Sequence, residues 1–154
     1  MRRLPFALVL SALAFPVLAS AAQRHASGSQ SGTTIELGLG GDYIVDPQLG
    51  EFQLTLAADA PLGRMVSAGV RAGVLLTSSP THVGAPIDFR LRIHGQRLYV
   101  EGLVGPWFIF GSGDTFRIHG GIGVGLRTGG VTIGLEAGAL DTSGIIGLRL
   151  AVPI

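Results

Sequence analysis

The side chains of this sequence best suited to chemistry are two histidines, a serine and a set of arginines and carboxylates spaced two apart. In Phe89-Arg-Leu-Arg-Ile-His-Gly-Gln-Arg-Leu-Tyr-Val-Glu-Gly102, the polar Arg90, Arg92, His94, Arg97 and Glu101 lie among Phe89, Leu91, Ile93, Leu98 and Val100. A histidine within reach of a serine and an acid would support acyl transfer. Two histidines on one face would begin a zinc site. Around His119 the sequence is Ile118-His119-Gly120-Gly121-Ile122, with no serine beside it, and Ser67 would approach His119 only by an accident of register. His94 and His119 fall on different segments and at different heights, so a shared metal is not expected. Both are read as members of a polar interior. Gly38-Leu39-Gly40 and Gly121-Ile122-Gly123-Val124-Gly125 lack the helix that a phosphate loop requires, because more strand follows them. The expectation is therefore no catalytic residue, no cofactor and no metal.

The elements that would position these groups are strands. From Thr33 to Ile154 the chain shows eight segments of period-two alternation and no helical period. Ile35, Leu37 and Leu39 alternate with Glu36, Gly38 and Gly40; Phe52, Leu54 and Leu56 with Glu51, Gln53 and Thr55; Val70 and Ala72 with Arg71 and Gly73. The same holds for Ile87 to His94, Leu98 to Phe108, Phe116 to Arg127, Val131 to Gly138 and Ile146 to Val152. Turn residues separate the segments, among them Ala60-Pro61-Leu62-Gly63, Gly95-Gln96, Thr128-Gly129-Gly130 and Asp141-Thr142-Ser143-Gly144. Short turns join antiparallel neighbours, and an even number of them can close. The predicted fold is all-β, an eight-stranded antiparallel up-and-down transmembrane β-barrel over residues 33–154. Residues 78–80, Ser-Ser-Pro, begin what reads as one longer connection, Thr77 to Pro86, whose His82 makes it the segment to test for a partner.

Residues 1–21 read as a cleaved signal peptide: Arg2-Arg3 precede an apolar run to Leu18, and Ala19-Ser20-Ala21 has the form that a signal peptidase cuts. Residues 22–32 read as a flexible leader. The chain has no cysteine and no lysine, and loss of Arg2 and Arg3 would take the formal charge from +1 to −1, so nucleic acid is not an expected partner.

Two closed barrels fit the alternation, with opposite faces turned inward. A soluble lipocalin-like barrel would hold an apolar ligand inside and put its charges in water. A membrane barrel would put its charges inside. The polar faces carry Glu36, Glu51, Asp59, Asp88, Glu101 and Glu136 against Arg71, Arg90, Arg92, Arg117, Arg127 and Arg149, a balanced set that can pair. They also carry many glycines, which weaken an exposed strand but make room for long side chains in a narrow lumen. The expected interior charge network is Glu36, Arg71, Asp88, Arg90, Arg92, Glu101, Arg117, His119, Arg127, Glu136 and Arg149. Tyr43, Phe52, Phe108, Phe110 and Phe116 would form an outward girdle at one end.

With this pattern the chain resembles the small eight-stranded outer-membrane barrels of Gram-negative bacteria, the outer membrane protein A/X/W-like group. Its most specific piece is the C-terminal alternation Leu148, Leu150, Val152, Ile154, similar to the signal such barrels present to the outer-membrane assembly machinery. The family ends in an aromatic, and here the last residue is Ile154. The resemblance implies an outer-membrane location, the lipid bilayer and the assembly machinery as partners, and a structural or accessory role with a largely plugged interior. Some barrels of this strand count instead modify lipid A, and that reading requires a serine beside a histidine.

Overall fold

The computed structural model describes residues 32–46 and 48–154. The signal peptide read at 1–21 and nearly all of the leader at 22–32 lie outside the described residues. Eight strands follow in order: β1 (Thr34–Ile44), β2 (Leu49–Pro61), β3 (Val66–Thr77), β4 (Val83–His94), β5 (Leu98–Phe110), β6 (Phe116–Thr128), β7 (Val131–Leu140) and β8 (Ser143–Pro153). Each pairs antiparallel with its sequence neighbours, and β1 pairs with β8 to close the barrel. The chirality of the turns suits this meander: Gly129 and Gly130 both have positive φ, 58° and 82°, the backbone that a two-residue hairpin turn needs to match strand twist.

The stagger of the strands follows from the register. Thr34 pairs with Asp59, Asp59 with Gly69, Gly69 with Arg90 and Arg90 with Leu103. Leu103 then pairs with Gly121, Gly121 with Gly138, Gly138 with Ile145 and Ile145 with Ile44. One circuit thus returns to β1 ten residues beyond its start, from Thr34 to Ile44. A stagger of this size tilts the strands of an eight-stranded barrel by about 40° and leaves a lumen that side chains can fill. The ladders open beside Pro86 and Pro106, which have no N–H to donate.

Alternation sorts the two faces as the sequence indicates. Leu135, Ile122 and Phe89 point outward and are more than 60% exposed, whereas Asp88, Gln53 and His119 point inward and are fully buried. Tyr43, Phe110 and Phe116 are exposed on the outer wall at the rim opposite the chain termini, where Phe108 meets Phe116 edge-on at 5.7 Å. Two features differ from expectation. The connection read as Thr77 to Pro86 is shorter, because Val83 to Pro86 belong to β4 and pair with Phe110 to Trp107 of β5; only Ser78 to His82 lie between the strands. Val152 lies opposite Leu37 on the outward face by register, yet is 2% exposed.

The inward glycines are seats for their neighbours. Gly40 pairs with Arg149, Gly123 with Glu101, Gly125 with Tyr99 and Gly147 with Asp42, and in each case a Cβ on the glycine would fall within 3 Å of that partner's side chain. Tyr99 reaches across two strands, over Gly125 and its β7 partner Gly134. Outward Gly102, by contrast, has open space around it. Gly125→Ala, whose methyl would also meet the Ile133 carbonyl, is therefore expected to destabilise the barrel by roughly 1–3 kcal/mol. Gly102→Ala is expected to be neutral or slightly stabilising. Urea unfolding midpoints of the two variants check this difference.

Candidate functional site: the charged lumen

From the rim that carries the termini to the far rim, the lumen is filled in layers. At the terminal rim Ser67 of β3, His94 of β4 and Arg127 of β6 converge: Ser67 Oγ lies 2.7 Å from His94 Nε2, and Arg127 Nη2 lies 2.7 Å from His94 Nδ1. They line a cavity of about 430 Å³, together with Thr34, Asp59 and Arg64.

Below it sits the first ionic cluster. Arg92 Nη1 contacts Glu36 Oε1 at 2.8 Å and Arg92 Nη2 contacts Glu101 Oε2 at 2.8 Å, with the Arg92 guanidinium 4.4 Å from the centre of the Tyr99 ring. Arg90 pairs with Glu36 at 3.0 Å and with Asp59. Asp59 and Arg90 are both partners of Gly69, so a glycine on β3 lets side chains of β2 and β4 meet across the strand between them.

The second cluster is built on Asp88. Arg71, its cross-strand partner, donates to Oδ2 from Nε at 3.1 Å and from Nη2 at 2.7 Å. Trp107 Nε1 donates to Oδ1 at 3.0 Å, and His119 Nδ1 lies 2.7 Å from the same oxygen with its ring tilted against the indole at 4.4 Å. Arg71 also crosses the lumen to Glu136 at 2.7 Å; Glu136 is shared with Arg149 at 3.1 Å, and Arg149 reaches Asp42 at 2.7 Å. A small cavity of about 20 Å³ lies between the two clusters, lined in part by Arg71, Arg92 and Thr132. Beyond the second cluster Gln53 Nε2 donates to Asp42 Oδ2 at 2.9 Å and to Glu51 Oε1 at 2.6 Å, and among the described residues Glu51 has no cation within 4 Å. The far rim is closed from inside by Ile44, Leu75, Trp107, Ile109, Leu140 and Ile145.

Of the residues read from sequence as one network, the structure joins nine in two clusters: Glu36, Arg90, Arg92 and Glu101 in the first, and Arg71, Asp88, His119, Glu136 and Arg149 in the second. Arg117 and Arg127 also face inward but join neither; among the described residues no carboxylate lies within 4 Å of them. Asp42, one alternation beyond Gly40, completes the second cluster and was signalled by the same period. The apolar far-rim group continues the inward parity of its strands, Ile44 after Asp42 and Trp107 after Gly105, so the same period places it inside; the register shows that the six meet. His94 and His119 lie in separate layers with separate partners, as their strands imply.

The Ser67–His94 pair has the wrong polarity for a nucleophile and its base. Arginine is only a donor, so His94 Nδ1 must accept from Arg127, which leaves the imidazole proton on Nε2. His94 Nε2–H then donates to Ser67 Oγ and has no lone pair with which to take the serine proton. In a catalytic triad an acid occupies the place that Arg127 holds here.

No protein-family model and no curated protein matches the sequence. Solved structures match the fold. A de novo designed transmembrane β-barrel superposes with a TM-score of 0.66 at 12% identity, covering 82% of this chain and 100% of the other. The outer-membrane enzyme PagL superposes with a TM-score of 0.64 at 14% identity, covering 77% of this chain and 99% of the other. The chain shares their closed β-barrel fold.

Asp88 accepts from Arg71, Trp107 and His119 at once, so its loss leaves three buried donors without their shared acceptor and breaks the network, although Arg71 keeps Glu136. Asp88→Ala is expected to cost about 3–5 kcal/mol, whereas exposed Arg97→Ala should stay within about 0.5 kcal/mol of the wild type. Equilibrium unfolding followed by Trp107 fluorescence measures both.

Proposed function

We propose that this protein is an outer-membrane β-barrel with a structural or accessory role, its outer wall in lipid and its lumen plugged by paired charges. The observation that carries the reading is the direction of the two faces. Val, Ile and Leu cover the outside, while Arg71, Arg90, Arg92, Asp88 and Glu136 are buried inside. In water this arrangement would expose a continuous apolar surface far larger than a soluble monomer tolerates. In a bilayer it meets both demands: lipid contact outside, and closed hydrogen bonding of every strand within the hydrocarbon. Strands of 10 to 13 residues, tilted by about 40°, match the apolar band of such barrels.

Export through the signal read at residues 1–21 and insertion by the assembly machinery, guided by the alternation ending at Ile154, fit this location. The exposed aromatics at the far rim then lie at the outer interface and the termini face the periplasm. A lipid-modifying activity is the alternative in a different class. The donor chain Arg127 to His94 to Ser67 argues against it, and so does the placement of that serine inside the lumen rather than on the wall that meets acyl chains. A soluble ligand carrier would need an apolar cavity, whereas the large cavity here is lined by Arg127, Glu36 and His94.

The faces are tested at mid-wall, where Leu135 and Leu148 are exposed cross-strand partners. Leu135→Arg and Leu148→Arg are each expected to cost roughly 2–4 kcal/mol of folding free energy in a bilayer and to reduce membrane assembly. Thr132→Ala, inside the lumen, should assemble normally. Heat-dependent gel mobility of the membrane-extracted proteins reads the outcome; equal assembly of wild type and arginine variants would contradict the face assignment. With its far rim closed by Leu75, Trp107 and Leu140, the wild type is also expected to give no stepwise conductance in planar bilayers.

A further inference from the structure

We infer that the cavity at the terminal rim is a binding site for a small molecule carrying an oxyanion, a phosphate or carboxylate group, received by Arg127 and Ser67. Its volume of about 430 Å³ falls in the range of small-molecule sites.

The hydrogen-bond polarity of its wall is fixed by one residue. Arg127 has five N–H donors, of which one goes to His94 Nδ1. Among the described residues no carboxylate lies within 4 Å of its guanidinium. His94, held in the tautomer with its proton on Nε2, fills an acceptor position on Ser67 Oγ. The serine hydroxyl, on a residue 6% exposed, keeps its own proton to give, with no acceptor among the described residues. The chain Arg127 to His94 to Ser67 therefore ends in a donor at the cavity wall, beside the unspent donors of Arg127 itself.

The charge balance points the same way. Glu36 and Asp59 line the cavity too, but both are held by Arg90, and Glu36 by Arg92 as well at 2.8 Å. Arg64, in the turn between β2 and β3, adds a second guanidinium at the mouth. His94 is neutral in this arrangement; the cluster beneath holds three carboxylates, Glu36, Asp59 and Glu101, against Arg90 and Arg92, so Arg127 brings the described charges to balance and Arg64 leaves one positive charge at the mouth. A phosphate or carboxylate would supply the missing acceptors and the missing negative charge, in the bidentate geometry that guanidinium favours. The site does not depend on what surrounds the outer wall.

The test is calorimetric titration of the full-length protein, extracted in a neutral detergent, with glycerol 3-phosphate, with inorganic phosphate as competitor and glycerol as the uncharged control. Saturable binding of glycerol 3-phosphate at a Kd on the order of 1 mM or tighter, displaced by inorganic phosphate and absent for glycerol, is expected. Arg127→Gln should weaken it by about tenfold or more and Ser67→Ala by a smaller factor, while Arg97→Gln, outside the cavity, should leave it unchanged. If Arg127→Gln does not give the folded gel mobility, Arg64→Gln and Ser67→Ala carry the comparison. Displacement by phosphatidylglycerol micelles would assign the oxyanion to a lipid headgroup, and its failure to a free phosphate; both support the site. No saturable heat with either phosphate, or equal affinity in wild type and the cavity variants, would overturn it.

Discussion

Charge inside a closed, narrow lumen must find a partner, and the rest of this structure is arranged around that constraint. A buried guanidinium or carboxylate left alone is costly by several kcal/mol, and eight strands with this stagger leave little room for water. Asp88 shows how the demand is met. Both of its oxygens are engaged, one by Arg71 and the other by Trp107 and His119, from three different strands. Arg71 in turn spans to Glu136 on β7, so the pairing ties opposite walls together as well as neighbouring ones. The charged filling thus fixes the strand register from within, while the hydrogen-bond ladder fixes it along the wall.

Glycine is the complement of these long side chains. Arg149 folds over Gly40, Tyr99 over Gly125 and Gly134, and Asp42 over Gly147. A glycine in a strand ordinarily weakens it; here it lets a neighbour lie flat across the lumen, and the ionic contacts offset the loss. This explains how 25 glycines are compatible with a barrel of long, regularly paired strands.

Period-two alternation made the eight strands, their turns and the two faces legible in the sequence, because burial on one side of a strand leaves that trace whatever the partners are. It also put the interior charges on one face, although Asp42 and Asp59 were not read as members of the network and Arg117 and Arg127, which were, pair with no carboxylate among the described residues. Who meets whom was not legible, since Arg71 to Glu136 and Ser67 to His94 depend on the register between strands and on the closure of β1 with β8. The far-rim group of Ile44, Leu75, Trp107, Ile109, Leu140 and Ile145 lies on the polar side of each strand's alternation, so its inward direction was legible, but that the six meet to close the lumen depends on the register. The two ends of the lumen consequently differ in a way that composition conceals. One is shut by apolar packing, and the other opens on a polar cavity around Arg127.

The measurement that tests the central claim most directly is a nitroxide scan along β7 in lipid vesicles, from Val131 to Ala137. The absence of native cysteine allows one label at a time. Labels at Ile133, Leu135 and Ala137 are predicted to show high accessibility to oxygen dissolved in the bilayer and low accessibility to a water-soluble nickel reagent. Labels at Thr132, Gly134 and Glu136 should be poorly accessible to both. Loss of that alternation, or free access of the nickel reagent to Leu135, would contradict a lipid-facing wall around a charge-filled lumen.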